Sequence, residues 1–336
     1  MKHFRDILEL RDFLYHTDCK STESALRAQL YPGWYTWVIS SRAHGKAGKI
    51  VPIDLGRFLY RGQTEVHKPC IPNIYRQHTN EDKKIHLDEF ISLLKLSEFR
   101  LLCLTHPGVK RCVEFGLDIE FIGLAQHYGL DTRYIDLTQN IDIACFFATC
   151  KNDNGNYFPF SGEGQGVVYR ISHSHPDILP YTVLIGKQPF RRPEVQKAWA
   201  IEMHYLEDLE KFNGIEIFIF NHSPEASQAI YNLFENQLFP EDLIARKAIE
   251  IKESLTIYKG IFNYKFEKFI YEYSHGSLTI KRFIEEIDSQ NKYKLSDNPS
   301  AIFTTDELQS ESDKWKEYGE LFLHKVGALF CSDSKR

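Results

Sequence analysis

The stretch LAQHYGLDTRYIDLTQNIDIACFFATC, residues 124–150, passes from helix to strand to helix within one short span. Its first part closes a longer segment in which Ile119, Ile122, Ala125 and Tyr128 recur at helical spacing. Gly129 then supplies a stop, because glycine takes the left-handed angles that end a helix. TRYIDLT is too short and too rich in β-branched and aromatic residues for a helix, and reads as a strand. NIDIACFFATC predicts a buried helix with Asn140 as its N-cap.

Working outward, the same mixture continues. Upstream, FLYRGQ (residues 58–63) predicts a covered strand that ends on Arg61, with Gly62 permitting a close approach of ligand or chain. FRDILELRDFLYH predicts an amphipathic helix with Phe4, Ile7, Leu8 and Leu14 near one face. Residues 20–56 read as an irregular connection with one apolar element at WYTWVI. DEFISLLKLSEFRLLCL reads as a helix ended by His106, Pro107 and Gly108. Downstream, VVYRIS, TVLIG and IEIFIF predict strands, and Ser223 followed by Pro224 marks a helix start. PEDLIARKAIEIKESL is a further amphipathic helix. The alternation lacks the ~30-residue rhythm of parallel βαβ units. The expected class is therefore α+β, with a mixed, antiparallel-rich sheet and flanking helices. Composition shifts near residue 256, which divides the chain into a main domain over 1–255 and a helical C-terminal appendage over 256–336.

A chain of 336 residues with 43% hydrophobic and 26% charged content can bury a sizeable core. The net charge of −5 supplies no global field for nucleic acid or an anionic membrane, so any polyanion site must be local. Seven cysteines form an odd set without a C-x-x-C pair and read as reduced thiols. The charged N-terminus does not read as a signal peptide, and no apolar run approaches the ~18 residues of a membrane span. Those features lead to the expectation of a cytoplasmic protein. No P-loop, H-E-x-x-H or G-x-S-x-G motif occurs, and His173 and His175 lack companion ligands nearby, so no metal is expected.

The densest polar group lies in the opening stretch: Gln126, His127, Thr132, Arg133, Asp136, Thr138 and Asn140 between two apolar helices. Such a group must pair internally or face a cleft. The structural alternative makes His127 a satisfied helix-end histidine, Arg133 and Asp136 an ion pair and Thr138 a turn hydroxyl. A planar guanidinium at Arg61 suits a phosphate or carboxylate.

FLYRGQ, IPNIYR, LAQHYGLDTRYIDLTQNIDIACFFA and LFENQLFPEDLIARKAI follow the order and spacing of the FRG domain, a bacterial and phage-associated family named for Phe-Arg-Gly. The resemblance spans roughly residues 1–255. Departures are Tyr60 for the naming Phe, Asp131 for Pro, Leu137 for Trp, and Gln139-Asn140-Ile141 for x-Asn-Pro. A narrower resemblance is to ADP-ribosyltransferases of the Arg-Ser-Glu type, in which a strand ends in Tyr-Arg-Gly and a later Ser/Thr-x-Ser/Thr segment enters a helix.

That second resemblance implies NAD as substrate, Arg61 gripping its pyrophosphate or ribose, and Thr138 bracing the pocket. It also implies a carboxylate within RRPEVQKAWAIEM. Gln196 stands at that place with Glu194 two residues earlier, so Glu194 or Glu202 would have to supply the charge. Arg61, Gly62, Gln63, Gln126, Thr132 and Arg133 are the expected binding residues. His127, Asp136, Thr138, Glu194 and Gln196 are the expected catalytic ones. The expectation is a nucleotide-binding cleft, with glycosyl transfer from NAD as its enzymatic form. The alternatives are a non-catalytic module for a nucleotide or RNA end in stress or phage defence, and an interaction domain with a structural Arg61–Asp136 ion pair.

Overall fold

The computed structural model describes residues 1–18, 35–39, 47–53, 56–76, 82–153, 156–205, 207–234, 237–261, 285, 292–323 and 326–327. Within these, β1 (Lys2–Phe4) leads into α1 (Ile7–Asp18), and β2 (Tyr35–Ile39) pairs antiparallel with β3 (Gly48–Pro52). Next come β4 (Phe58–Gln63), α2 (Asp82–Thr105), α3 (Pro107–Glu114), α4 (Phe121–His127), β5 (Tyr134–Thr138) and α5 (Ile141–Thr149). The hairpin β6 (Cys150–Asp153) and β7 (Asn156–Pro159) precedes β8 (Gln165–Ser172), β9 (Thr182–Leu184), α6 (Arg191–Val195) and β10 (Ala198–Glu202). β11 (Ile215–Asn221), α7 (Pro224–Tyr231), α8 (Leu243–Glu253), β12 (Thr256–Tyr258), β13 (Lys294–Ser296), α9 (Thr305–Leu323) and β14 (Val326–Gly327) complete the order.

Seven strands form the main sheet in the order β1-β11-β8-β4-β5-β10-β9. All neighbours are antiparallel except β1 beside β11, and the fold is α+β. Side chains alternate across the sheet as a period of two requires. Val168, Phe218, Phe220 and Tyr60 pack under α1, α5 and α7. Val167, Tyr169, Ile171 and Leu59 face a second core with Ile135 and Trp199. A third core joins α2, α3, α4, α8 and α9 through Phe99, Val109, Leu124, Ile244 and Trp315.

The caps follow the local sequence. Asn140 Oδ1 accepts from the Ile143 amide at 3.0 Å, Ser223 Oγ accepts from Ala226 at 3.3 Å, and Gly129 turns the chain at φ +87°.

Several details differ from the sequence reading. β3 is a strand within the expected irregular connection over 20–56, where it pairs with β2, and β12 and β13 are paired strands in the segment expected to be helical. Lys2–Phe4 is a strand, because it lies along β11 at the sheet edge where it gains backbone partners. His106-Pro107-Gly108 ends α2 but also starts α3: the His106 ring accepts from the Gly108 amide, and Pro107 sits where no donor is needed. The segment before Gly129 is not one helix, since Gly116 turns it at φ +82° and α4 begins only at Phe121. The strand at FLYRGQ runs through Arg61 to Gln63, because β8 pairs with it along its whole length.

WYTWVI gives β2 from Tyr35 onward, while its first residue lies outside the described residues. α9 occupies part of the predicted C-terminal appendage, and residues 262–284 and 286–291 of that segment lie outside the described residues.

Candidate functional site

The site is built where the sheet opens. β4 and β5 meet at one residue pair, Tyr60 with Thr138, whereas β4 stays fully laddered to β8 on its other side. Past that pair the Arg61 side chain spans the gap, its Nη1 donating to the Asp136 carbonyl at 3.0 Å. Gly62 is required by a close approach, and the partner is a helix rather than a ligand or strand. A Cβ there would lie 1.8 Å from the Ala144 carbonyl oxygen and 2.7 Å from the Ala148 nitrogen of α5. The small residues Ala144 and Ala148, one turn apart, let the helix seat directly on the strand beside Arg61.

The opening holds a cavity of about 450 Å³ lined by Arg61, Gly62, Gln63, His127, Asp136, Thr138 and Gln196 among others. Three of the lining residues carry a buried polar atom with no hydrogen-bond partner: Arg61 Nε, His127 Nε2 and Asp136 Oδ1. Asp136 Oδ2 and His127 Nδ1 are held. Gln126 Nε2 donates to Asp136 Oδ2 at 3.1 Å, and the buried Thr132 hydroxyl donates to Gln126 Oε1 at 2.5 Å. Thr132 thus fixes the amide that fixes the carboxylate, although it does not itself line the cavity.

His127 is held through Gln196, which is 5% exposed. Gln196 Nε2 donates to the Leu238 carbonyl at 3.0 Å, so its Oε1 faces the imidazole and accepts from His127 Nδ1 at 2.9 Å. That partner places the proton of the neutral ring on Nδ1 and leaves Nε2, buried and without a partner, as the acceptor. Burial pushes the His127 pKa down, against the opposing influence of the Asp136 charge and the Gln196 hydrogen bond. Thr138 donates to the Gln196 carbonyl at 2.8 Å and accepts from the Asn140 amide, joining the end of β5 to the residue that closes α6.

The other sequence candidates lie elsewhere. Arg133 pairs with Glu89 at 3.2 Å, not with Asp136, because α2 carries Glu89 across the start of β5. Arg61 meets the Asp136 carbonyl and not its carboxylate, so the expected Arg61–Asp136 ion pair is replaced by a guanidinium–backbone hydrogen bond. Glu194 accepts from Tyr35 at 2.7 Å and pairs with Lys187 at 3.2 Å, outside the cavity lining. Glu202 lies at the opposite end of β10 from Ala198, level with Tyr134. Asp136 is the carboxylate that lines the cavity.

Several lining residues carry no signal in the one-dimensional pattern. Thr64 and His67 follow β4, and Lys151, Asn152 and Tyr157 come from the β6–β7 hairpin. Tyr157 stacks on Phe239 at 4.3 Å, and burial raises its pKa. Arg192 backs the site by donating to the His127 carbonyl at 2.9 Å while its guanidinium lies over the Tyr128 ring. Among the described residues, no cluster of His, Cys, Asp and Glu has a metal-binding arrangement. No helix of the described residues is long and apolar enough to cross a membrane.

Residues 56–156 match the FRG domain family, a span that runs from just before β4 to the first residue of β7 and contains Arg61, His127, Asp136 and Thr138. A search of curated proteins and a search of solved structures found no match. The chain carries an FRG domain at residues 56–156.

Proposed function

We propose that the cavity between β4 and β5 binds a nucleotide, and that its enzymatic form is glycosyl transfer from NAD. The observation that carries this reading is that three residues lining one cavity, Arg61, His127 and Asp136, each carry a buried polar atom without a partner: one donor, Arg61 Nε, and two acceptors, His127 Nε2 and Asp136 Oδ1. Buried polar atoms without partners are costly unless a ligand or water completes them. A phosphorylated sugar fits the set, with its anionic oxygens on Arg61 and its hydroxyls donating to the two acceptors.

In the transfer reaction the C1′–N bond of NAD breaks and nicotinamide leaves with the electron pair. A new C1′–O bond forms to water or an acceptor hydroxyl, whose proton passes to His127 Nε2. The Asp136 carboxylate stabilises the oxocarbenium-like ribose, the role that Gln196 cannot fill. Gln196 instead orients the base.

The test is nicotinamide release from NAD by the purified protein and by Arg61→Ala, with thermal shifts of both proteins with and without NAD. Release by the wild type and none by a folded variant is the expected result. An NAD-dependent shift without release retains the binding reading and removes the reaction. Neither release nor shift removes NAD as the ligand.

A further inference from the structure

The cavity has two ends of different chemistry. Arg61 lines it with its Nε buried in the protein, whereas Lys151 lines it from β6 with its side chain 54% exposed, which places this second cation at the mouth. The charged residues of the lining are Arg61 and Lys151 against Asp136, so a locally cationic cavity sits in a chain of net charge −5. Lys151 Nζ lies 4.6 Å from the Phe160 ring centroid and 3.3 Å from a Glu65 carboxylate oxygen. Both members of the Lys151–Glu65 pair are more than half exposed, and Glu65 does not line the cavity. Solvent-exposed pairs of this kind are held weakly and re-pair readily. A phosphate entering the mouth competes with Glu65 for an ammonium already positioned there.

We propose that Lys151 binds a second, outer phosphate, so that the site selects nucleoside diphosphates over monophosphates. Lys151 stands on the hairpin opposite Phe158, and Tyr157, stacked on Phe239, lines the same cavity. One phosphate then meets Arg61 at the inner end and the next meets Lys151 at the outer end. Glu65 is the internal competitor that occupies Lys151 when no ligand is bound. This inference rests on the nucleotide reading above and adds the number of phosphates and the residue that counts them.

The experiment is titration calorimetry of the full chain with AMP and with ADP, for wild type, Arg61→Ala, Lys151→Ala, Lys151→Arg and Glu65→Gln. ADP is expected to bind wild type at least about tenfold more tightly than AMP, the scale of one charge-assisted contact. Lys151→Ala is expected to bring that ratio close to one with AMP affinity unchanged, and Lys151→Arg to restore it. Glu65→Gln is expected to raise ADP affinity by removing the competitor, an effect that a merely structural lysine would not give. Equal affinities for the two nucleotides in wild type, or an ADP preference that survives Lys151→Ala, overturns the assignment of Lys151. The nucleotide reading still stands in that case if AMP binding is lost in Arg61→Ala. Binding of neither nucleotide overturns both.

Discussion

At the scale of the residue, the imidazole of His127 is controlled by a side chain far away in the sequence. Gln196, 69 positions downstream, receives the Nδ1 proton and leaves Nε2 as an acceptor. Burial opposes a positive charge there, so the folded protein holds His127 below the ordinary value of 6.5. The sign follows: the unfolded chain takes up this proton more readily than the folded one. Stability attributable to His127 is present in full above pH 6.5 and declines as the pH falls from there through the lower folded value. Thermal midpoints measured between pH 8 and 4 should therefore fall on the acid side less steeply in His127→Gln than in wild type. Gln196→Glu should raise the His127 value, because a carboxylate facing Nδ1 favours the imidazolium, and so should also lessen the acid-side fall. Its His127 resonance should titrate at higher pH by NMR; an unmoved titration would contradict the role given to Gln196.

At the scale of the element, the contact between α5 and β4 decides whether the site exists. The helix carbonyl of Ala144 sits where a Cβ of residue 62 would be, so Gly62→Ala forces backbone against backbone and no rotamer change relieves it. The expected cost is about 1–3 kcal/mol or more, read from the midpoint shift in urea unfolding. A variant with unchanged stability would mean that α5 can lift from the strand without loss. The same contact explains why Ala144 and Ala148 are small, and why the apolar face of NIDIACFFATC is buried against the sheet beside the polar cavity. The helix was legible from its cap and composition, whereas its seat on Gly62 required knowing which strand lay beneath it.

At the scale of the whole molecule, α9 is tied to residues far earlier in the chain. The Trp315 ring lies over Gly108 at the start of α3, where a Cβ would come within 2.0 Å of it. Trp315 is 6% exposed and shares a core with Phe99 and Ile244. Glu311 on the same helix meets the buried His106 ring at 3.3 Å, and this hydrogen bond holds the Glu311 carboxyl down at about 2. Trp315→Ala should therefore destabilise the protein by about 3–5 kcal/mol. Chemical denaturation should show one cooperative transition moving as a unit. A separate early transition, with the remainder unchanged, would instead make residues 256–336 an independent unit.

What the amino-acid sequence determined by itself is local: the helix caps at Asn140 and Ser223, the stop at Gly129, the strands at β5, β8 and β11, and the α+β class. Each depends on neighbours within one turn or one strand, where spacing and backbone preference act directly. His127, Asp136 and Thr138 were legible within a dense polar cluster between apolar segments, since burial of so many polar groups has few solutions, and Arg61 as a guanidinium at a strand end. Only the tertiary structure decided how they pair. It gave Arg133 to Glu89 and Glu194 to Tyr35 and Lys187, left Asp136 as the carboxylate in the cavity, and brought Lys151 to the mouth. Those outcomes depend on which segments the sheet order sets side by side, because the partners stand far apart along the chain and carry no shared periodicity.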